Sequence, residues 1–226
     1  GVADLSALIA IFGANAAMIL FGLAMAWTQI GFAADPSLVG DAAAGKAQTA
    51  VCGACHGADG NSAAGAFPKL AGQNARYLIK QLNDVQSGNR SIPQMAGQLD
   101  GKTAQDFEDI AAYYAAQKSS YGQANSDLVK LGESIYRAGI KDKGVSACTA
   151  CHSPTGQGNA PAGMPALGGQ HAEYTATQLK AFRLGADQPE KGRVNDGESR
   201  MMRDNASRLS DLEIDAVSSY ISGLHP

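Results

Sequence analysis

The chain has 226 residues and carries 18 Lys and Arg against 21 Asp and Glu, a formal net charge of −3. That balance argues against nucleic acid as a partner, because phosphate binding needs a basic face. A hydrophobic share of 45% is too high for a disordered chain, and four Cys are too few for a disulfide-dense secreted scaffold.

From Leu5 to Ala34 there is no charged residue, and Asp4 and Asp35 bracket the run. It exceeds the roughly 20 apolar residues that span a bilayer. Trp27 stands near its end, where interfacial aromatics gather. Two readings are open. Gly31-Phe32-Ala33 before Ala34 offers the small residues of a signal-peptide cleavage site. Against cleavage, no Lys or Arg precedes the run, which is about twice the roughly 7–15 residues of a signal h-region. The reading preferred is a retained transmembrane anchor over residues 5–33, within a segment ending at residue 34. Either reading exports the rest of the chain.

Beyond residue 34 the chain reads as all-α, with no β pattern. Helical spacing and turn residues place helices from Ala42 to Ala50, Asn74 to Ser87 and Thr103 to Gln117. A linker rich in small and polar residues follows at 119–126. Further helices run from Asp127 to Ala138, His171 to Leu184 and Ser210 to Ser222. Ser210-Asp-Leu-Glu213 is a capping box, and Thr103-Ala-Gln-Asp106 is a weaker version of it.

All four Cys fall in two copies of one motif: Cys52-Gly-Ala-Cys55-His56 and Cys148-Thr-Ala-Cys151-His152. Cys-x-x-Cys-His is the attachment signature of c-type haem. Two thiols on adjacent helical turns each add to one vinyl group, and the His reaches the iron from the same face. A redox dithiol or a zinc site are the plainer readings of Cys-x-x-Cys. Two copies that use every Cys, each inside a longer repeat, favour two covalent haems. Pro68-Lys-Leu70-Ala-Gly72-Gln73 matches Pro165-Ala-Leu167-Gly-Gly169-Gln170 at an offset of 97, as do Tyr77 with Tyr174, Gln81 with Gln178 and Gly88 with Gly185. Near the end of each half the offset is 107, so about ten extra residues belong to the charged loop from Asp187 to Ser199. The expected domains are 35–118 and 127–226.

The second axial ligand separates electron transfer from catalysis. Of the remaining His, His171 aligns with Asn74 and His225 lies in the tail, so they read as a polar helix start and a solvated residue. The offset of 107 aligns Met95 with Met202, whereas Met201 would need 106. Met164 aligns with Phe67 and reads as pocket packing. The expected iron ligands are therefore His56 with Met95 and His152 with Met202, against the bland reading of Met as core filler. A thioether ligand raises the reduction potential, and two filled axial sites leave no open place for a substrate. Arg193, Arg200, Arg203 and Arg208 cluster around Met202 and read either as a solvated rim or as partners for haem propionates or an acidic protein.

The chain from 35 to 226 resembles cytochrome c4, a family of dihaem carriers built from two tandem class I cytochrome c domains. The resemblance rests on Val51-Cys-Gly-Ala-Cys-His-Gly-Ala-Asp-Gly-Asn-Ser62, Phe67-Pro-Lys-Leu-Ala-Gly-Gln73, Ala147-Cys-Thr-Ala-Cys-His-Ser-Pro154, Leu167-Gly-Gly-Gln-His171 and Asn195-Asp-Gly197. It implies thioether links at Cys52, Cys55, Cys148 and Cys151, and the axial pairs named above. It implies that the carbonyls of Pro68 and Pro165 hold the two His rings by hydrogen bonds. The family's domains pack with haem propionate edges facing, so electrons pass within one molecule.

The function this implies is electron transfer in the bacterial periplasm, from a quinol-oxidising cytochrome bc complex to a haem-copper terminal oxidase, often of the cbb3 type. The anchor would tether the carrier near such membrane partners. Two other readings stand beside it: a haem enzyme such as a dihaem peroxidase, and a dedicated haem subunit of a membrane dehydrogenase or oxidase.

Overall fold

The computed structural model describes residues 39–226. The expected anchor at 5–33 lies outside the described residues. Among the described residues no helix is long and apolar enough to cross a membrane.

The first half contains α1 (Ala42–Gln48), α2 (Ala50–His56), α3 (Ala75–Gln86) and α4 (Ala104–Ala115). The second half contains α5 (Val129–Ala138), α6 (Thr149–His152), α7 (Ala172–Asp187), α8 (Met201–Ala206) and α9 (Asp211–Gly223). Extended structure among the described residues is limited to two isolated bridges, Ile140 with Val145 and Asn159 with Met164. The all-α expectation therefore matches.

Sequence and structure differ at three element boundaries. The expected helix from Ala42 breaks at Thr49, whose hydroxyl donates to the Lys46 carbonyl, and the chain restarts as α2. The helix from His171 runs three residues past Leu184, to Asp187. The segment around Met202, given no element in the sequence, is a short helix, α8. Its free N–H groups are satisfied by Asp196, whose carboxylate accepts from the backbone N–H of Met202 and Arg203.

The helices pack within each half along the same plan. In the first, α1 crosses α4 and α3 packs on α4. In the second, α5 crosses α9, and α7 packs on α8 and α9. Each crossing is closest at a glycine. A Cβ on Gly45 would stand 2.0 Å from the Asp109 carbonyl oxygen, and one on Gly132 would stand 2.2 Å from that of Ala216. Glycine in a helix costs about 1 kcal/mol relative to alanine, so its presence here reflects the close approach.

The cores are small. Leu78, Ile110, Ala111, Tyr113 and Tyr114 form the first, with Cys52 on its edge. Ile135, Tyr136, Val145, Leu209, Ile214, Val217, Tyr220, Ile221 and Leu224 form the second, with Cys148 on its edge. The linker is held by both halves. The Ser119 hydroxyl donates to Ala71, Ser120 N–H to the Asn61 side chain, Gly122 N–H to Ser222 and Asn125 N–H to the Ser219 hydroxyl.

Candidate metal centres

Helix α2 carries Cys52, Cys55 and His56, and α6 carries Cys151 and His152 with Cys148 as its N-cap. No disulfide joins any of the four Cys. Burial pushes the Cys148 thiol up to about 11 and raises Cys52 as well. A raised thiol pKa makes Cys52 and Cys148 weak nucleophiles for a redox dithiol. Among the described residues no group of three or more His, Cys, Asp or Glu is placed to hold a bare ion. Cys52 and Cys148 stand instead at the margins of two undersized cores, where a large apolar group attached through sulfur would complete the packing. The donor set thus fits a covalently attached haem in each half.

Both imidazoles are buried and oriented in the same way. His56 Nδ1 lies 2.9 Å from the carbonyl oxygen of Pro68, and His152 Nδ1 lies 3.0 Å from that of Pro165. Burial lowers both His pKa values below the ordinary imidazole range, and the carbonyl bond offsets this only in part. A neutral ring that donates Nδ1–H to a carbonyl keeps the lone pair on Nε2 for a metal. The segment after each proline is pinned by its own half: Leu70 N–H donates to Gly60, and Leu167 N–H donates to Gly156, both at 2.7 Å. His56 also meets Phe67 edge to face.

Met95 closes a 3-10 turn, Pro93–Met95, and is half-buried. Met202 is half-buried on α8. Its neighbour Met201 is exposed, with its sulfur 3.8 Å from Cys151 Sγ, which brings α8 over the second motif. His225 is exposed in the tail. His171 opens α7 and crosses to the first half, where Nε2 lies 2.9 Å from the Ser62 carbonyl oxygen.

Of the four arginines near Met202, Arg208 is exposed and Arg200 half-exposed, as a solvated rim would have it, whereas Arg203 and Arg193 are built into the structure. Arg203 is buried against Asp196, with Nε 2.6 Å from Oδ1. Arg193 stacks over Phe182 and donates to Gln178 in its own half, and to Tyr77 and Gln81 in the other. Arg90 makes the reverse set, donating to Gln81 in its own half, and to Tyr174 and Gln178 in the other. The two arginines are equivalent at an offset of 103, between the offsets of 97 and 107 that frame the inserted loop. Sequence reasoning gave Arg90 no role, and a register search that allowed a gradual insertion would have paired it with Arg193. Asn195 extends the network to Asp84, which pairs with Lys80.

The same residues can be set beside known proteins. The cytochrome c family model matches residues 42–117 and 129–225. Cytochrome c4 of Pseudomonas aeruginosa is 55% identical over 82% of this chain and 90% of that protein. Cytochrome c4 of Azotobacter vinelandii is 49% identical over 93% of this chain and 100% of its own. The crystal structure of reduced recombinant cytochrome c4 from Pseudomonas stutzeri superposes with a TM-score of 0.79 at 52% identity, covering 83% of this chain and 100% of that one.

Proposed function

The chain belongs to the cytochrome c4 family, a dihaem electron carrier with two covalently bound haem c groups, and from that premise we propose the residues and partners through which it works. Cys52 and Cys55 hold one haem by thioether links, with His56 and Met95 on its iron. Cys148 and Cys151 hold the other, with His152 and Met202. The haem supplies a one-electron couple at iron. The protein's part is to fix the ligands and exclude substrates from the metal. His56 and His152 stay neutral and keep one ring orientation because the carbonyls of Pro68 and Pro165 accept their Nδ1–H. Met95 and Met202 would complete the two ligand sets and leave no open place on either iron for a substrate.

The repeated histidine–proline geometry is the observation that carries this reading. Two rings in two halves share one hydrogen bond, one burial and one direction of pKa shift. In this reading the carrier works in the periplasm, anchored through residues 5–33, domains 35–118 and 127–226 each hold one haem, and electrons pass from a cytochrome bc complex to a cbb3-type oxidase. A spectrum of the purified protein tests the ligand set. Two six-coordinate, low-spin haems with the weak far-red band of methionine-ligated ferric iron are expected. A high-spin haem in a resting sample that turns over peroxide would overturn the carrier assignment in favour of a dihaem peroxidase. Release of the mature chain by salt wash, without detergent, would overturn the anchor. Co-purification with a dehydrogenase or oxidase in detergent would recast it as a fixed subunit.

A further inference from the structure

We infer that Gln73 and Gln170 are positioning residues that act across the two halves, each tuning the axial histidine of the other half's haem. The inference rests on the assignment of His56 and His152 as iron ligands.

Gln73 belongs to the first half but pairs with the second. Its Oε1 accepts from Ala166 N–H at 2.7 Å, and its Nε2 donates to the Ala166 carbonyl at 2.9 Å. Gln170 does the reverse: its Oε1 accepts from Lys69 N–H, and its Nε2 donates to the Lys69 carbonyl, both at 3.0 Å. Both side chains are buried, at 7% and 9% exposure. Their amide orientation is fixed by a second donor, since Oε1 also accepts from the next backbone N–H, that of Asn74 or His171. The space between the two clasps is about 20 Å³, room for about one water molecule.

The consequence lies in which peptide is gripped. Ala166 N–H and Pro165 C=O belong to one planar peptide group. A hydrogen-bonded chain therefore runs from Gln73 Oε1, through that peptide, to Nδ1–H of His152. In the other direction it runs from Gln170 Oε1, through the peptide joining Pro68 to Lys69, to Nδ1–H of His56. Hydrogen bonds in series polarise one another, so an acceptor on the N–H makes the carbonyl a stronger acceptor. A stronger bond to Nδ1–H makes the imidazole more basic and favours ferric iron. Each half thus lowers the potential of the other half's haem, and separating the halves would raise both.

The test is a redox titration that resolves the two haems, on full-length Gln73→Met and Gln170→Met proteins. Methionine keeps the volume and removes both amide bonds. Gln73→Met is expected to shift the His152 haem toward the ferrous state and leave the His56 haem in place, and Gln170→Met to do the opposite. A shift confined to the variant's own half, equal shifts of both haems, or no shift in a protein that keeps two low-spin haems would overturn the inference. Gln73→Glu and Gln170→Glu keep an acceptor oxygen and guard against a methionine variant that does not fold. In the reduced protein, the Nδ1–H proton of the opposite histidine should move upfield with methionine and should not move upfield with glutamate; an upfield shift with glutamate counts against the inference. Wild-type spectra separate this from the reading beneath it: absence of imidazole or thioether ligand resonances overturns the ligand assignment itself, and the inference with it.

Discussion

Asp196 shows how much one side chain can carry. It is almost wholly buried, caps α8 through the N–H of Met202 and Arg203, and pairs with the Arg203 guanidinium. Removing one partner of a buried ion pair leaves the other charge uncompensated and costs about 3–5 kcal/mol. Asp196→Ala should therefore destabilise the second half by that amount in a denaturant titration. It should also weaken the far-red methionine band of the second haem while sparing the first. Arg203→Met in the same background should recover part of the loss, because the orphaned charge is then gone. Among the described residues no side chain caps the turn that holds Met95 in the first half. Met95, the counterpart of Met202 in the proposed ligand set, closes a 3-10 turn that starts at Pro93.

Helix ends were more legible than helix interruptions. Both capping boxes form, Thr103 with Asp106 and Ser210 with Glu213. Thr103→Ala and Ser210→Ala should each cost about 1 kcal/mol, and the double variant should show nearly additive losses because the sites share no partner. The carboxylates give these caps a pH dependence. Hydrogen bonds from Lys143, and then from Ser210, hold Glu213 below its ordinary value, and those from Thr103 do the same for Asp106. A depressed folded-state pKa means stability that is present above about pH 4.5 and lost as pH falls through the folded value. Glu213→Gln should flatten that acid limb in thermal melts taken at decreasing pH. Helix crossings give a sharper result: Gly132→Ala drives a methyl into the Ala216 carbonyl and should cost about 1–3 kcal/mol. The haem motifs and the two-domain repeat were readable because covalent attachment fixes the Cys-x-x-Cys-His spacing and the repeat states it twice. The break at Thr49 and helix α8 were not, since each depends on the hydrogen bonds of one side chain, Thr49 or Asp196, that no periodicity announces. Gln73 and Gln170 were visible as a repeated position, but the bonds they make across the halves exist only once the two halves dock.

At the scale of the whole molecule the two halves are so alike that their few differences should decide which haem is reduced first. Each half carries a net charge of −1, with 7 basic and 8 acidic side chains over residues 35–118 and 11 and 12 over 119–226. No overall field between the halves directs the electron. The sharpest local difference is Lys69, which stands where the second half has Ala166. Its peptide is the one that holds His56, and its ammonium crosses the interface to the carbonyls of Ser120 and Gly169. Burial lowers its pKa from the usual lysine value, while the two carbonyls accept from the charged form. A positive charge beside a haem favours the ferrous state. At an effective dielectric near 20 two unit charges in contact interact by about 4 kcal/mol, the interaction falls with distance, and solvent reduces it further for a half-exposed group. Lys69→Ala should therefore lower the potential of the first haem by less than about 1 kcal/mol equivalent and leave the second nearly unchanged. Lys69→Arg, which keeps the charge, should leave the order of reduction as it is. A titration of the two variants at low and moderate salt checks both statements, since an electrostatic shift shrinks with ionic strength and a conformational one does not.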